Sequence, residues 1–460
     1  MDNALEKKMS APKSDEPEAR GEILDMDDSY TPEEEKAVLR KIDMVILPFM
    51  CFVFFLQYLD KQSLSYAAVF GLIDDLDLTS SQYSWCSSIF YVGQLVAEYP
   101  CIYLMSRLHL TKFVGVTVSS QLCRFRRRSF PPRLQRRCRI TSLRHHHVDL
   151  VVGCLLMYGI GKNTSLGLAP WRTLFLVCGA MTVVAGIAFF TLMPNGPRDA
   201  WFLSPREREV LSMRMARDRE GGDKTSFSTS QLRETLMDPK AWAVFWFGVL
   251  VTMQSPVLTF ASLVIKSVGY TQLETMLYTA PSGAVQIGLL WIGVGLCTLF
   301  PRQRSLVVLV LIIPPLIGNV FLMKLDVSAG WGLIAASWVS SCITASMSIL
   351  LSLSASNVKG NTKRALVNCM FFIGYCAGCI GSPQLWTHGP RYREGVITSI
   401  VTWCLLFLTM IVYRTLCTRD NKKRDLAGEC HSTGEVILDR NGLPKSDLTD
   451  KEDRAFRYSY

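Results

Sequence analysis

Charge is scarce along most of this 460-residue chain: Asp, Glu, Lys and Arg make up 19% of it, against 49% hydrophobic residues and a mean hydropathy of +0.22. That balance is too apolar for an ordinary soluble domain, and soluble-enzyme chemistry falls away with it. Also lacking is an apolar core in the first 40 residues, which are polar and rich in Asp and Glu. A cleavable signal peptide is therefore not expected, and the amino terminus is expected to stay in the cytoplasm. The fifteen cysteines are scattered, many inside apolar stretches, which argues against a disulfide-stapled secreted scaffold. Cys376-Ala377-Gly378-Cys379 has the spacing of a redox or metal site, but within an apolar helix small residues serve close packing. No metal set and no cofactor is expected.

What is present is a recurrence of apolar stretches about twenty residues long, near 44–73, 84–105, 171–193, 241–265, 277–300, 306–323, 331–353, 366–386 and 396–413. Spans of this length satisfy their backbone groups as helices rather than as barrel strands, so the fold class is an all-α membrane protein. The formal charge of +10 sits largely in loops beside these spans, where it sets orientation; it is read as topology and not as nucleic-acid binding. Asp74-Asp75-Leu76-Asp77 has no basic residue, whereas Arg107 and Lys112 follow the next span. Arg302, Arg304, Lys359, Lys363 and Arg364 mark further inner turns, and 325–330 has no basic side chain. Arg391 and Arg393 break the alternation once.

Five parts are expected: a cytoplasmic tail over 1–43, an incomplete amino-terminal bundle over 44–194, a central cytoplasmic loop over 195–240, a six-helix bundle over 241–416 and a cytoplasmic tail over 417–460. Thr31-Pro32-Glu33-Glu34 and Ser204-Pro205-Arg206-Glu207 both read as capping boxes that open helices, the second amphipathic through Met213. The charged tail after Thr418 reads as disordered. Two six-helix units joined by a central loop would place a binding site between the halves.

The amino half falls short of six helices. Residues 119–147 hold nine Arg and no Asp or Glu, ending in His145-His146-His147. Such text cannot cross hydrocarbon, where a central Arg costs roughly 2.5–3.5 kcal/mol. A span beginning at 112–116 stops early, and 148–160 is apolar but short. A basic patch for anionic lipid or nucleic acid is one reading and a His cluster for metal another, although consecutive His residues share no helical face. The favoured reading is an out-of-frame or mis-spliced stretch.

Several ordered motifs resemble the fungal allantoate permease family, anion:cation symporters of the major facilitator superfamily. They are Lys41-Ile42-Asp43, Leu59-Asp60-Lys61-Gln62-Ser63-Leu64, Gln82-Tyr83-Ser84, Ser88-Ile89-Phe90-Tyr91 and Glu98-Tyr99-Pro100. Pro170 through Phe175, Met193-Pro194, Phe202-Leu203-Ser204, Val268-Gly269-Tyr270, Tyr278 through Pro281, Asn357 through Arg364 and Gly389 through Tyr392 continue the likeness. It covers about 35–118 and 152–415. The resemblance implies the major facilitator fold of two helical bundles, proton-coupled uptake of a small organic anion (an allantoate-like ureide or vitamin-like carboxylate), and a fungal plasma membrane. The chain departs from it by lacking the equivalent of parts of helices 3 and 5 and all of helix 4, and by Cys379, where relatives commonly have Asn. A non-transporting truncated pseudo-transporter or nutrient sensor is the alternative.

Asp60 and Lys61 lie about 16 residues, or ~24 Å, along a helix from Met44. Ionisable groups at membrane depth face a cavity or a partner. The resemblance makes Asp60 the proton carrier and Lys61 the anion contact; a structural ion pair is the competing reading. Glu98 is a second proton-coupling candidate or a partner of the Pro100 kink. Gln254 and Ser255, before Pro256, are candidate substrate contacts, with Tyr91, Gln384 and Trp338 weaker because such side chains more often glue helices. Asn357, Lys363 and Arg364 read as a gate turn, and Asn163-Thr164-Ser165 as a sequon near the membrane. The expected partners are the anion, a proton and membrane lipid, and no nucleic acid; the sequence names no oligomeric state.

Overall fold

The computed structural model describes residues 31–107, 153–156, 158–160, 167–194, 199–220, 227–257, 260, 262, 265, 269–301, 303–326, 329–386, 392–426 and 447–460, and these are helical almost throughout. The helices are α1 (Pro32–Val69), α2 (Ser80–Arg107), α3 (Pro170–Leu192), α4 (Pro205–Glu220), α5 (Thr229–Met237), α6 (Pro239–Thr252), α7 (Gln272–Thr279), α8 (Pro281–Leu299), α9 (Arg304–Lys324), α10 (Trp331–Ser340), α11 (Thr344–Ser356), α12 (Asn361–Gly381) and α13 (Arg393–Leu426). Seven stretches among the described residues are long and apolar enough to cross a membrane. The 119–147 segment, the missing-helix expectation attached to it, and the 163–165 sequon lie outside the described residues.

Local chemistry explains where the helices start and stop. Thr31 caps α1 reciprocally with Glu34, and Ser204 and Glu207 exchange the same pair of bonds at α4. Proline opens α1, α3, α4, α6 and α8, where its missing N–H costs nothing. Gly71, at φ +92°, ends the first long rod before a one-turn helix. Three expected spans are interrupted: 241–265 leaves α6 at Met253, 277–300 is α7 and α8 meeting at Ala280, and 331–353 is α10 and α11 separated at Ser341–Ile343. Pro256 and Pro281 follow two of these breaks.

Each membrane helix divides its apolar residues between protein and lipid. In α3, Leu174, Cys178, Ala185 and Phe189 are buried, while Leu176, Val183, Val184 and Ile187 point outward. In lipid both faces are apolar, so composition alone does not separate them. The tightest crossing is α6 on α12, where Gly248, Gly374 and Gly378 admit backbone against backbone. A Cβ on Gly374 would lie 2.3 Å from the Phe245 carbonyl oxygen, and one on Gly248 would lie 2.4 Å from that of Phe371. Gly378, inside the Cys376–Cys379 motif, packs onto Thr252 in the same way, which is the close-packing role expected of that motif.

α1 pairs with α3, with Phe49 and Phe189 stacked at 5.8 Å, and α4 lies along the start of α1. α2 packs across to α12 and to the short turn Ser382–Leu385. Cores shared by both halves gather at the end that carries the 70–80 loop: Leu59, Tyr66 and Leu174 with Met276 and Ala280, and Tyr83 with Phe260, Trp386 and Val396. At the opposite end, among the described residues, Val38, Ile42 and Leu211 form a core of the amino half alone, and Val358, Tyr413 and Cys417 belong to a core of the carboxyl half alone.

The expectation of a disordered tail after Thr418 fails for its described residues, and 427–446 lie outside them. α13 runs on to Leu426, and residues 447–460 fold back against α5, α12 and α13, burying Thr449, Asp450 and Tyr458. High charge density favours disorder only when the charges lack partners, and here they find them.

Candidate functional site

α1 brings Asp60 and Lys61 to the region between the halves, and the two side chains diverge because consecutive helical residues point about 100° apart. Asp60, half-buried, turns within its own half: Thr182 of α3 donates a hydrogen bond to Oδ2 at 2.7 Å. Lys61 turns the other way, to α12, and donates to the Tyr375 hydroxyl at 3.3 Å. Its ammonium lies 5.3 Å from the centre of the Tyr91 ring. The two do not form an ion pair, so the structural-pair reading of their adjacency is set aside. No carboxylate among the described residues lies within ion-pair distance of Lys61, whose side chain is exposed.

Around the Lys61 ammonium stands a polar and aromatic wall. Tyr91 and Tyr375 meet edge to face at 6.1 Å, and Phe372 stacks on Tyr375 at 6.0 Å. The Cys379 thiol contacts Tyr91, Tyr375 and Ser255, and Ser255 in turn lies 3.4 Å from the Ser382 hydroxyl. The wall thus draws on α1, α2, the break after α6, and α12. The side chains at 255, 379 and 382 are small, with Cys379 and Ser382 buried, and among the described residues Lys61 is the cation that meets this wall. Such a site can hold an anion against one ammonium and two phenol groups, and it has no grouping for covalent catalysis.

Other sequence candidates sit elsewhere. Gln254 is fully buried and spends its amide on α13: Nε2 donates to the Ser399 carbonyl at 3.1 Å and to Thr402 Oγ1 at 2.5 Å, and Oε1 accepts from Ser399 Oγ. Gln384 donates to Ser88 Oγ at 3.0 Å, and Ser88 donates to the Ile380 carbonyl at 2.8 Å, so this pair ties α2 to the end of α12. Trp338 donates to the Tyr278 carbonyl at 2.7 Å, gluing α10 to α7. Glu98 is half-buried on α2, seven residues or ~10 Å from Tyr91 and away from the shared cores. Asn357 and Lys363 bind the folded-back tail. Sequence reading missed Tyr375; its position four residues before Cys379, one helical turn away, was the available signal.

Two helical halves meeting at one end, with broken helices and, among the described residues, the Lys61 cation between them, define a membrane carrier. A Major Facilitator Superfamily profile matches residues 147–383, and the chain belongs to that superfamily of transporters. It is 31% identical over 474 residues to an uncharacterized transporter of Schizosaccharomyces pombe, covering 95% of this chain and 90% of the relative. It is 27% identical over 490 residues to the allantoate permease of Saccharomyces cerevisiae (93% and 87% covered) and 26% identical over 469 residues to a thiamine pathway transporter of the same yeast (92% and 86% covered). Among solved structures, a D-xylose-proton symporter aligns with a TM-score of 0.53 at 12% identity, covering 78% of this chain and 96% of the other. A bacterial homologue of the lysosomal transporter Spinster, inward-facing, aligns at 0.52 and 16% identity, covering 84% and 97%. These two share the fold.

Proposed function

We propose that the protein carries a small organic anion across the membrane together with a proton. Lys61 binds the anion, Tyr91, Tyr375 and Ser255 line its site, and Asp60 carries the proton. The observation that bears most weight is Lys61 itself, a cation at the junction of the halves with no carboxylate among the described residues in reach and a hydrogen bond to the opposite half. An ionisable group at membrane depth faces a cavity or a partner, and a carboxylate substrate supplies the partner for an exposed ammonium there. Similarity to an allantoate permease favours a ureide carboxylate, while the thiamine pathway relative widens the vitamin-related compounds to be tried beyond carboxylates. Asp60 reaches Thr182 of α3 rather than Lys61, so protonation there acts on packing within the amino half while the anion acts across the halves.

With the inner end assigned by the basic loops, the shared cores lie at the outer end and the halves separate toward the cytoplasm, an inward-facing arrangement. Both termini and 195–240 are cytoplasmic in this scheme, and the membrane is taken to be the plasma membrane. Uptake of labelled allantoate into cells tests the reading. Lys61→Ala is expected to raise KM with less effect on kcat, and Asp60→Asn to abolish pH-driven accumulation while sparing exchange. Unaltered pH-driven accumulation in Asp60→Asn rejects the proton assignment.

A second reading rests on the Arg-rich 119–147 stretch: the product as written does not transport. The superfamily profile begins matching at residue 147, where that stretch ends. An alternating-access carrier needs both halves to enclose the site, and this segment cannot supply a membrane wall. Parallel expression of this chain and of a transcript retaining an apolar segment there separates the readings; saturable uptake by the chain as written rejects the second.

A further inference from the structure

The end of the carboxyl half that bears the 357–364 turn holds the last residues of the chain by their backbone as well as by their side chains. Asn421 and Asn357 each offer a side-chain amide to one backbone unit, as a neighbouring β-strand would. Asn421 accepts from the Tyr458 N–H at 3.0 Å and donates to its carbonyl at 2.9 Å. Asn357 does the same for Ser459, at 2.7 Å both ways. Between them the Tyr458 ring lies beneath the Lys240 ammonium, 3.5 Å from its centroid, with its hydroxyl donating to Asp450 at 2.7 Å.

Upstream, an acidic residue falls at every third position, and each has a partner on or beside the same turn. Asp447 accepts from the Asn361 N–H at 2.9 Å, Asp450 pairs with Lys363 at 2.8 Å, and Asp453 pairs with Lys359. Lys363 is 1% exposed and is also held by Glu234 and Asp238, at 2.7 and 3.0 Å. Gly360, at φ +94°, keeps the turn close enough for Thr449 to pack on it. Apart from Asp450, which accepts from Tyr458 within the segment, these partners belong to α5, α6, the Asp238 junction between them, α12, α13 or the turn.

We propose that residues 447–460 are a detachable strap and that the surface beneath them is a binding site for an extended peptide. The recognised chemistry is carboxylates three residues apart followed by a tyrosine whose backbone is read by the two asparagines. While docked, the strap pins the turn that leads into α12, the helix that carries Tyr375 and packs across to α2. Release frees that turn. The inference stands apart from the anion reading, since no part of it needs a substrate.

The test uses the full-length protein in detergent. Backbone hydrogen exchange at Tyr458 and Ser459 is expected to be faster than in the core at Val251 and Leu350, which shows local opening, and amides of 357–361 are expected to open with them. A fluorescent synthetic peptide with the 447–460 sequence should bind saturably. Full-length Tyr458→Ala, whose own strap is weakened, should bind it about tenfold more tightly, as expected for removing a competitor worth ~1–1.5 kcal/mol. The peptide carrying Tyr458→Ala should bind about tenfold more weakly than the parent peptide. Exchange at Tyr458 only at the core rate, no peptide binding to either full-length form, or equal binding of the two peptides overturns the proposal and makes the segment a fixed part of the fold.

Discussion

Replacing Gly374 by Ala forces the α6–α12 crossing apart. The new Cβ would sit 2.3 Å from the Phe245 carbonyl oxygen and 3.2 Å from the Val249 nitrogen, both backbone atoms that cannot rotate away. An ordinary van der Waals contact starts near 3.4 Å, so the helices must separate by about 1 Å. Overpacking of this kind costs ~1–3 kcal/mol, while Ala in a helix gains back ~0.8–1.0 kcal/mol over Gly. Because the obstacle is rigid and the whole crossing loses contact, the net effect is expected to be a loss of stability, seen as a lower melting midpoint in detergent. Gly179→Ala is the internal control. Nothing lies within 4 Å of its added Cβ, so only the propensity gain remains and the midpoint should not fall. The same separation moves Tyr375, which follows Gly374 directly, and stretches its 3.3 Å bond to Lys61 beyond hydrogen-bond reach. Anion affinity should therefore fall together with stability. A Gly374→Ala protein that melts no lower than the parent, or no lower relative to it than Gly179→Ala, refutes the reasoning.

Gln254→Leu should cost ~1–3 kcal/mol by stranding the Ser399 hydroxyl, whose acceptor is the Gln254 amide oxygen, yet leave the anion KM unchanged, and a raised KM at full stability would return Gln254 to the site. Burial alone would raise the carboxyls of Asp453 and Asp238, but Lys359 beside the first, and Lys363 and Lys240 beside the second, outweigh it and hold both below the ordinary 3.8. Lys363 and Lys240 hold Asp238 low whether the strap is docked or not, whereas Asp453 meets Lys359 only when docked. Its depressed carboxylate supports docking above 3.8 and loses that contribution as pH falls through its folded value, so docking should be full at neutral pH and weaken below 3.8. Exchange at Tyr458, corrected for intrinsic rate, that is no faster in acid than at neutral pH contradicts this. Tags at either terminus should resist impermeant reagents in intact cells, and labelling of either one there contradicts the proposed topology.

Much was legible in the chain itself, because a bilayer tolerates few backbone solutions. Apolar runs, capping boxes at Thr31 and Ser204, and the sign of loop charge determined an all-α membrane protein with helices close to their final bounds, and put Lys61 on the page as a charge at membrane depth. The partners of that charge were a different matter. Nothing local distinguishes Gln254, whose amide is consumed by α13, from Tyr375, whose hydroxyl meets Lys61, since both are polar residues on apolar helices and only the crossing of α12 over α2 and α6 decides which faces the junction. Pro256 signalled the break after α6, but the one between α10 and α11 was hidden, because spans were read from hydropathy and hydropathy does not register where a backbone turns. The tail shows the limit most plainly. Its carboxylates at 447, 450 and 453 look like solvated charge until Lys359, Lys363 and the Asn361 amide, remote in sequence, are brought opposite them, and the free energy of those pairings exists only in the folded arrangement.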